Sequence, residues 1–183
     1  DKLLEWKETS KGRTALLIEG ARRVGKSTIV TEFGKNEYKS YILIDFAFAP
    51  TGVKELFNDI SDLDYLFLQL QLQFKADLHE RNSLIIFDEV QFCPKARQAV
   101  KKLVEDGRYD YIETGSLISI KKNVEHILIP SEERKIEMFP MDFEEFLWAI
   151  GDNTTNNILR KFYNEKISPG QDQNRALMRK FRL

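Results

Sequence analysis

The sequence predicts an open, mostly parallel α/β sheet in three layers, followed by a short helical C-terminal extension. Three observations predict it. An apolar run, Ala15-Leu16-Leu17-Ile18, leads into Gly20-Ala21-Arg22-Arg23-Val24-Gly25-Lys26-Ser27 and on into Thr28-Ile29-Val30-Thr31-Glu32-Phe33. A second apolar run, Leu84-Ile85-Ile86-Phe87, ends in Asp88-Glu89. Around these two, strand-length apolar segments alternate with helix-length amphipathic ones, the order that builds a parallel sheet covered on both faces.

The elements follow in chain order. Residues 2–9 predict an amphipathic helix carrying Leu3, Leu4 and Trp6, ahead of a Lys11-Gly12 turn. A strand is expected at about 14–19, then a glycine-rich loop, then a helix closed by Gly34. Ser40 to Asp45 is a second buried strand, and Pro50-Thr51-Gly52 marks a loop. Leu66 to Phe74 alternates like a strand, yet Leu63, Phe67, Leu70, Phe74 and Leu78 share one helical face. Its Leu and Gln residues favour helix, and a crossover between parallel strands needs one, so a helix is expected. Ser83 to Glu89 is the third strand. Pro94 to Glu105 is a helix with Ala96, Ala99, Val100, Leu103 and Val104 as its buried stripe. Asp110 to Thr114 and Lys135 to Phe139 are the fourth and fifth strands. Asp142 caps a helix through Phe143, Phe146, Leu147 and Ile150 that stops at Gly151, and Asn153 to Asn157 is a polar linker.

Composition narrows the class of function. The chain has 183 residues, 42% apolar and 31% charged, which fits a globular domain with a full core. A net charge of −1 gives no global attraction to nucleic acid or anionic membrane. Cys93 is the single cysteine, so no internal disulfide forms, and with no His or Cys at ligand spacing it is structural. No apolar stretch reaches about 18 residues and no signal peptide opens the chain, so a cytoplasmic protein with no membrane partner is expected. The first residue is Asp1 rather than Met, and the native N-terminus is expected to lie upstream.

Gly20 to Ser27 is a full G-x-x-x-x-G-K-S/T match between a strand and a helix, the context in which that pattern means phosphate binding. Glycines let the backbone curl with its N–H groups inward, where side chains would crowd the phosphates. Lys26 supplies a point charge for β- and γ-phosphates, Ser27 a hydroxyl for Mg²⁺, and the following helix its positive dipole end. The nucleotide-contacting set is Gly20, Ala21, Arg22, Arg23, Val24, Gly25, Lys26, Ser27 and Thr28. One of Arg22 and Arg23 is expected to face phosphate or a partner, the other solvent. The Leu84–Glu89 run has the form of a Walker B strand. Asp88 at its end is placed to hold the water shell of the same Mg²⁺, and Glu89 to polarise a water for in-line attack on the γ-phosphorus.

The ordered set Gly20–Ser27, Phe87-Asp88-Glu89-Val90-Gln91, Thr114-Gly115-Ser116 and Phe139-Pro140-Met141-Asp142-Phe143-Glu144-Glu145-Phe146 resembles a family of prokaryotic AAA-type P-loop ATPases. In that family a Walker B ending in D-E-x-Q is followed by T-G-S and by P-L/M-x-F-x-E-F. The resemblance implies a P-loop NTPase fold of the additional-strand, catalytic-glutamate class, with one strand between the Walker B strand and the phosphate-loop strand. It implies ATP and Mg²⁺ as ligands, and no N-K-x-D or T-K-x-D guanine signature contradicts this. Thr114 matches the sensor position, where a hydroxyl reaches the γ-phosphate or the attacking water; the alternative is a strand-end threonine closing a glycine turn. Arg134 falls roughly where such ATPases present an arginine to a neighbouring subunit. Its alternative is an exposed ion-pair cluster within Glu132-Glu133-Arg134-Lys135. The catalytic set expected from the resemblance is therefore Glu89, Lys26, Thr114 and Arg134, with Ser27 and Asp88 as metal ligands.

An ATPase domain over residues 1–151 and a helical extension over 152–183 are expected. Residues 154–183 carry a basic excess, from Arg160, Lys161, Lys166, Arg175, Arg179, Lys180 and Arg182 against Glu165 and Asp172. Such a run reads either as a solvated helix face or as a nucleic-acid surface. Relatives in the resembled family continue past an R-x-F-R pattern, so Arg179-Lys180-Phe181-Arg182 is expected to begin a region that continues beyond this chain. The expected function is Mg-dependent ATP binding and hydrolysis, slow in isolation because an arginine from another copy supplies much of the rate in comparable systems. A nucleotide-gated switch with little turnover is the alternative. Expected partners are ATP and ADP and a second copy of the chain, with nucleic acid reached only through the region beyond.

Overall fold

The computed structural model describes residues 2–116 and 133–180; Glu132 and residues 181–183 lie outside the described residues. Five strands form one sheet: β1 (Ala15–Gly20), β2 (Ser40–Asp45), β3 (Ser83–Asp88), β4 (Asp110–Ser116) and β5 (Glu133–Met138). Their order is β2-β3-β4-β1-β5, and every pairing is parallel. The Walker B-like strand β3 is thus separated from β1 by β4, the arrangement the family resemblance implies.

Helices cover both faces. They are α1 (Lys2–Ser10), α2 (Lys26–Glu37), α3 (Thr51–Glu55), α4 (Leu63–Phe74) and α5 (Pro94–Asp106). Strand β3 shows why two covers are needed, because all six of its residues are buried. Its Leu84 and Ile86 join Trp6, Leu16, Ile18, Val30, Phe33 and Ile112 in one core. Its Ile85 and Phe87 join Phe46, Phe57, Leu66, Phe67, Leu70, Val100 and Leu103 in the other. Side chains alternate along a strand, so a strand buried on both faces has to be apolar throughout. The expected three-layer α/β class is the one found.

One expectation here changes and one holds. Helix α2 does not close at Gly34 but runs on to Glu37, and Gly34 is buried inside it. A Cβ there would sit 3.0 Å from Cγ of Tyr41, so the glycine admits a ring against the helix rather than ending it. The alternating Leu66–Phe74 stretch is helix α4, as expected, with Asp62 accepting from the Tyr65 N–H at its start.

By its internal contacts the chain divides into Asp1–Phe139 and Pro140–Leu183. The second unit contains α6 (Phe143–Ala149), α7 (Thr155–Glu165) and α8 (Gln171–Lys180). Asp142 and Glu145 form a reciprocal capping box on α6, which satisfies two otherwise orphaned N–H groups. The polar stretch at 153–157 is partly helix, because Asp152 accepts from the N–H of both Thr154 and Thr155 and starts α7 there. Lys180 on α8 pairs with Asp152 as well, and that donation, with the Thr155 bonds, holds the Asp152 carboxyl below the usual carboxylate range. No described helix is long and apolar enough to cross a membrane.

Candidate nucleotide site

The parallel register brings the carboxyl ends of β1, β3 and β4 to one edge of the sheet. Ile18 pairs with Thr114 and Gly20 with Ser116, while Phe87 pairs with Glu113, so Thr114 stands between the end of β3 and the mouth of the glycine-rich loop. Ligands of open α/β sheets sit at this edge.

The loop leaves β1 at Gly20, where a Cβ would lie 2.2 Å from the carbonyl oxygen of Met138 on β5; only glycine fits there. Arg23 (φ 64°) and Gly25 (φ 93°) take left-handed conformations, and Gly25 is the residue from which α2 springs. Ala21, Arg22, Arg23 and Thr28 are exposed and Val24 half-buried. Lys26 is buried, its Nζ donating to the carbonyls of Gly20 (3.2 Å) and Ala21 (2.7 Å). Its charge therefore lies over the loop, in the concavity that the left-handed residues create.

Ser27 and Asp88 meet. Ser27 Oγ donates to Asp88 Oδ1 at 2.9 Å, joining the first turn of α2 to the end of β3. Thr114 Oγ1 donates to the same oxygen, Asp88 Oδ1, and accepts from the Glu89 N–H at 3.2 Å. Thr114, fully buried, thus ties β4 to both acidic residues. Glu89 itself adopts φ 51°, a left-handed turn that starts a short 3-10 turn at Val90–Phe92. Its carboxylate Oε2 accepts from Nε2 of Gln91. Ser27, Asp88, Glu89 and Thr114 are therefore one hydrogen-bonded cluster, and Lys26, next to Ser27 in the chain, is held separately on the loop carbonyls.

Arg134 is not part of that cluster. Gly20 pairs with Met138 but Leu16 with Arg134, so Arg134 lies about 13 Å down the strand at a rise of ~3.3 Å per residue. It is exposed, and its Nη1 donates to Oγ1 of Thr9 at 2.9 Å.

Two features beside the cluster had no counterpart in the sequence reading. Gln91 was visible within the D-E-x-Q string, but nothing there gave its amide a partner. Beneath the sheet, Arg97 of α5 pairs with Glu133 of β5 (2.8 Å) and faces Glu113 of β4 (3.5 Å), all three side chains fully buried. Burial pushes the Glu113 carboxyl up to about 8, Arg97 pulling it down and Glu133 adding to the rise. Burial raises the Glu133 carboxyl too, against the pull of Arg97 and Lys135.

A family model described as an AAA domain matches residues 12–147. An uncharacterized protein of Haemophilus influenzae is 24% identical over 169 residues, covering 89% of this chain; the chain spans 40% of that relative's length. Among solved structures, the DnaC helicase loader aligns with a TM-score of 0.45 at 11% identity, covering 75% of this chain and 88% of that one. The C. elegans PCH-2 structure aligns with a TM-score of 0.43 at 14% identity, covering 84% of this chain and 48% of that one. With the family match running from before β1 through most of α6, the chain belongs to the AAA domain family, that of AAA-type P-loop ATPases with ATPase-like nucleotide binding.

Proposed function

We propose that this domain binds Mg·ATP in the Gly20–Thr28 loop and hydrolyses it to ADP and phosphate, with Glu89 as the base. The observation that carries the reading is the convergence of Ser27 and Thr114 on one oxygen of Asp88, beside Glu89. A hydroxyl and a carboxylate in contact are the sparse oxygen set that magnesium takes alongside waters and phosphate oxygens, so the residues fit the ion. When bound there, magnesium would neutralise charge on the β- and γ-phosphates.

The chain's own groups divide the remaining work. The Gly20 and Ala21 carbonyls satisfy the buried Lys26 ammonium, which exchanges them for phosphate oxygens when nucleotide binds. Left-handed Arg23 and Gly25 turn loop N–H groups inward as further donors. Glu89 accepts a proton from the attacking water as its oxygen bonds to the γ-phosphorus and the bond to the β–γ bridging oxygen breaks. Thr114 holds the Glu89 backbone and Asp88 in fixed relation and serves the sensor role. This grouping supports placement in the catalytic-glutamate class.

Arg134, exposed on β5 and away from its own loop, is assigned to the nucleotide of another copy; the alternative is a surface role within its own chain, where it donates to Thr9 Oγ1. Turnover is then slow in the isolated domain and rises on assembly. The output driven by hydrolysis is one of a DNA transaction, defence or control of an effector.

The test is a nucleotide titration with magnesium-dependent phosphate release, using Lys26→Ala as comparison. At least about tenfold weaker ATP binding is expected for Lys26→Ala, from the loss of a charge-assisted contact. Near-normal affinity would remove the loop assignment. Good binding with no release by the wild-type chain would favour a nucleotide-gated switch instead.

A further inference from the structure

Gln91 occupies a position that the phosphate-loop chemistry leaves unexplained. The backbone turns into the left-handed region at Glu89, and the 3-10 turn that follows is closed by the Phe92 N–H on the Glu89 carbonyl (3.0 Å) and the Cys93 N–H on the Val90 carbonyl (2.9 Å). Gln91 sits at the middle of this turn and is only 5% exposed. Its Nε2 donates to Oε2 of Glu89, while its Oε1 is buried without a hydrogen-bond partner among the described residues. One end of the amide is committed to the carboxylate and the other is unsatisfied. A half-satisfied buried amide weakens a fold relative to an apolar side chain of the same shape. The value of Gln91 therefore lies in what its donor holds.

We propose that Gln91 is a positioning residue that fixes the Glu89 carboxylate in the orientation from which it receives the proton of the attacking water. This rests on the hydrolytic role of Glu89 given above. Glu89 is half-buried and carries a long side chain, which untethered would divide its population among several rotamers. Gln91 is immobilised by its own burial and by the closed turn, so it supplies a rigid end to the tether. The donor is also neutral. A lysine or arginine would hold the same oxygen but would lower the basicity that a proton acceptor needs, whereas an amide restrains the carboxylate without cancelling its charge.

The test compares Gln91→Met and Gln91→Glu with the wild type and with Glu89→Gln. Steady-state kcat and KM for Mg·ATP, nucleotide affinity and thermal unfolding are measured for each. Gln91→Met keeps the volume and deletes the donor, so kcat should fall about tenfold as Glu89 regains its rotamers. KM and nucleotide affinity should stay within about twofold, and the melting temperature should hold or rise because an unsatisfied acceptor is gone. Gln91→Glu, which sets a carboxylate against a carboxylate, should lose at least as much kcat. In the Glu89→Gln background Gln91→Met should change nothing further, since it acts only through Glu89. A Gln91→Met kcat at or above the wild-type value overturns the proposal. So does a loss of kcat that comes with matching losses of affinity and thermal stability, which would mark Gln91 as structural. The two levels separate cleanly. If Glu89→Gln turns over normally, the hydrolytic role of Glu89 fails and the tether with it; if Glu89→Gln is inactive while Gln91→Met is fully active, only the tether fails.

Discussion

Ser27 and Asp88, 61 positions apart in the chain, are joined by a 2.9 Å hydrogen bond from the serine hydroxyl to the aspartate carboxylate. The first belongs to a helix start and the second to a strand end. Their meeting depends on β4 lying between β1 and β3, which sets the width of the gap that α2 spans. A one-residue slip in either parallel register would turn Asp88 to the other face. The contact is therefore a direct product of the sheet order.

Asp88→Asn should leave ATP affinity in the absence of magnesium near its wild-type value. The strengthening that magnesium confers should drop by about 10–100-fold, the usual loss when a group that orients a metal's shell is changed. Titrations with magnesium and with a chelator measure the difference. Equal magnesium enhancement in variant and wild type would mean that Asp88 serves only Ser27 and Thr114.

Thr114→Val preserves the shape of a fully buried side chain but removes both of its hydrogen bonds. The Glu89 N–H then loses its acceptor, at a cost of about 1–3 kcal/mol in denaturant unfolding. Turnover should fall as well, with nucleotide affinity little changed, because the threonine touches the two acidic residues rather than the loop. An unchanged turnover would reduce Thr114 to a strand-end residue closing a glycine turn.

How much of this was legible in the sequence depends on how local each feature is. The glycine-rich loop and β3 were legible because motif and burial pattern are contiguous. Helix α4 was harder, since Leu68 and Leu72 are exposed apolar residues that mimic strand alternation alongside the buried Leu66, Phe67 and Leu70. Gly34 looked like a helix end because the signal for a cap and the signal for a ring packed on a helix are the same residue. The Gln91–Glu89 contact lay in plain view as a spacing, but its direction depends on the left-handed turn at Glu89. Arg97, Glu113 and Glu133 could not be paired from sequence, because their meeting requires the docking of α5 under β4 and β5.

That buried trio gives a pH-dependent stability. The Glu113 carboxyl is pushed up to about 8 in the fold from its ordinary 4.5, chiefly by burial. Between those values the folded chain binds more protons than the unfolded one, so its stability contribution is full below about pH 4.5 and lost as pH rises through about 8. Glu133, raised in the same direction, adds to the effect. Denaturant midpoints should therefore fall from about pH 5 to about pH 9, and Glu113→Gln should flatten that fall. Arg97→Ala, which removes the partner of both carboxyls, should destabilise the fold most above about pH 8, where Glu113 is ionised, and least in acid, where both carboxyls carry protons. A profile unaltered by Glu113→Gln would place the titration elsewhere.

The most direct measurement of hydrolysis by Glu89 is phosphate release from Mg·ATP by the wild type and Glu89→Gln at matched nucleotide occupancy. The wild type should release phosphate slowly and only with magnesium. Glu89→Gln should bind Mg·ATP with affinity within about twofold of wild type while its release falls by about 10²-fold or more, the loss expected when a positioned proton acceptor becomes an amide of the same shape. Release by Glu89→Gln at the wild-type rate would contradict it.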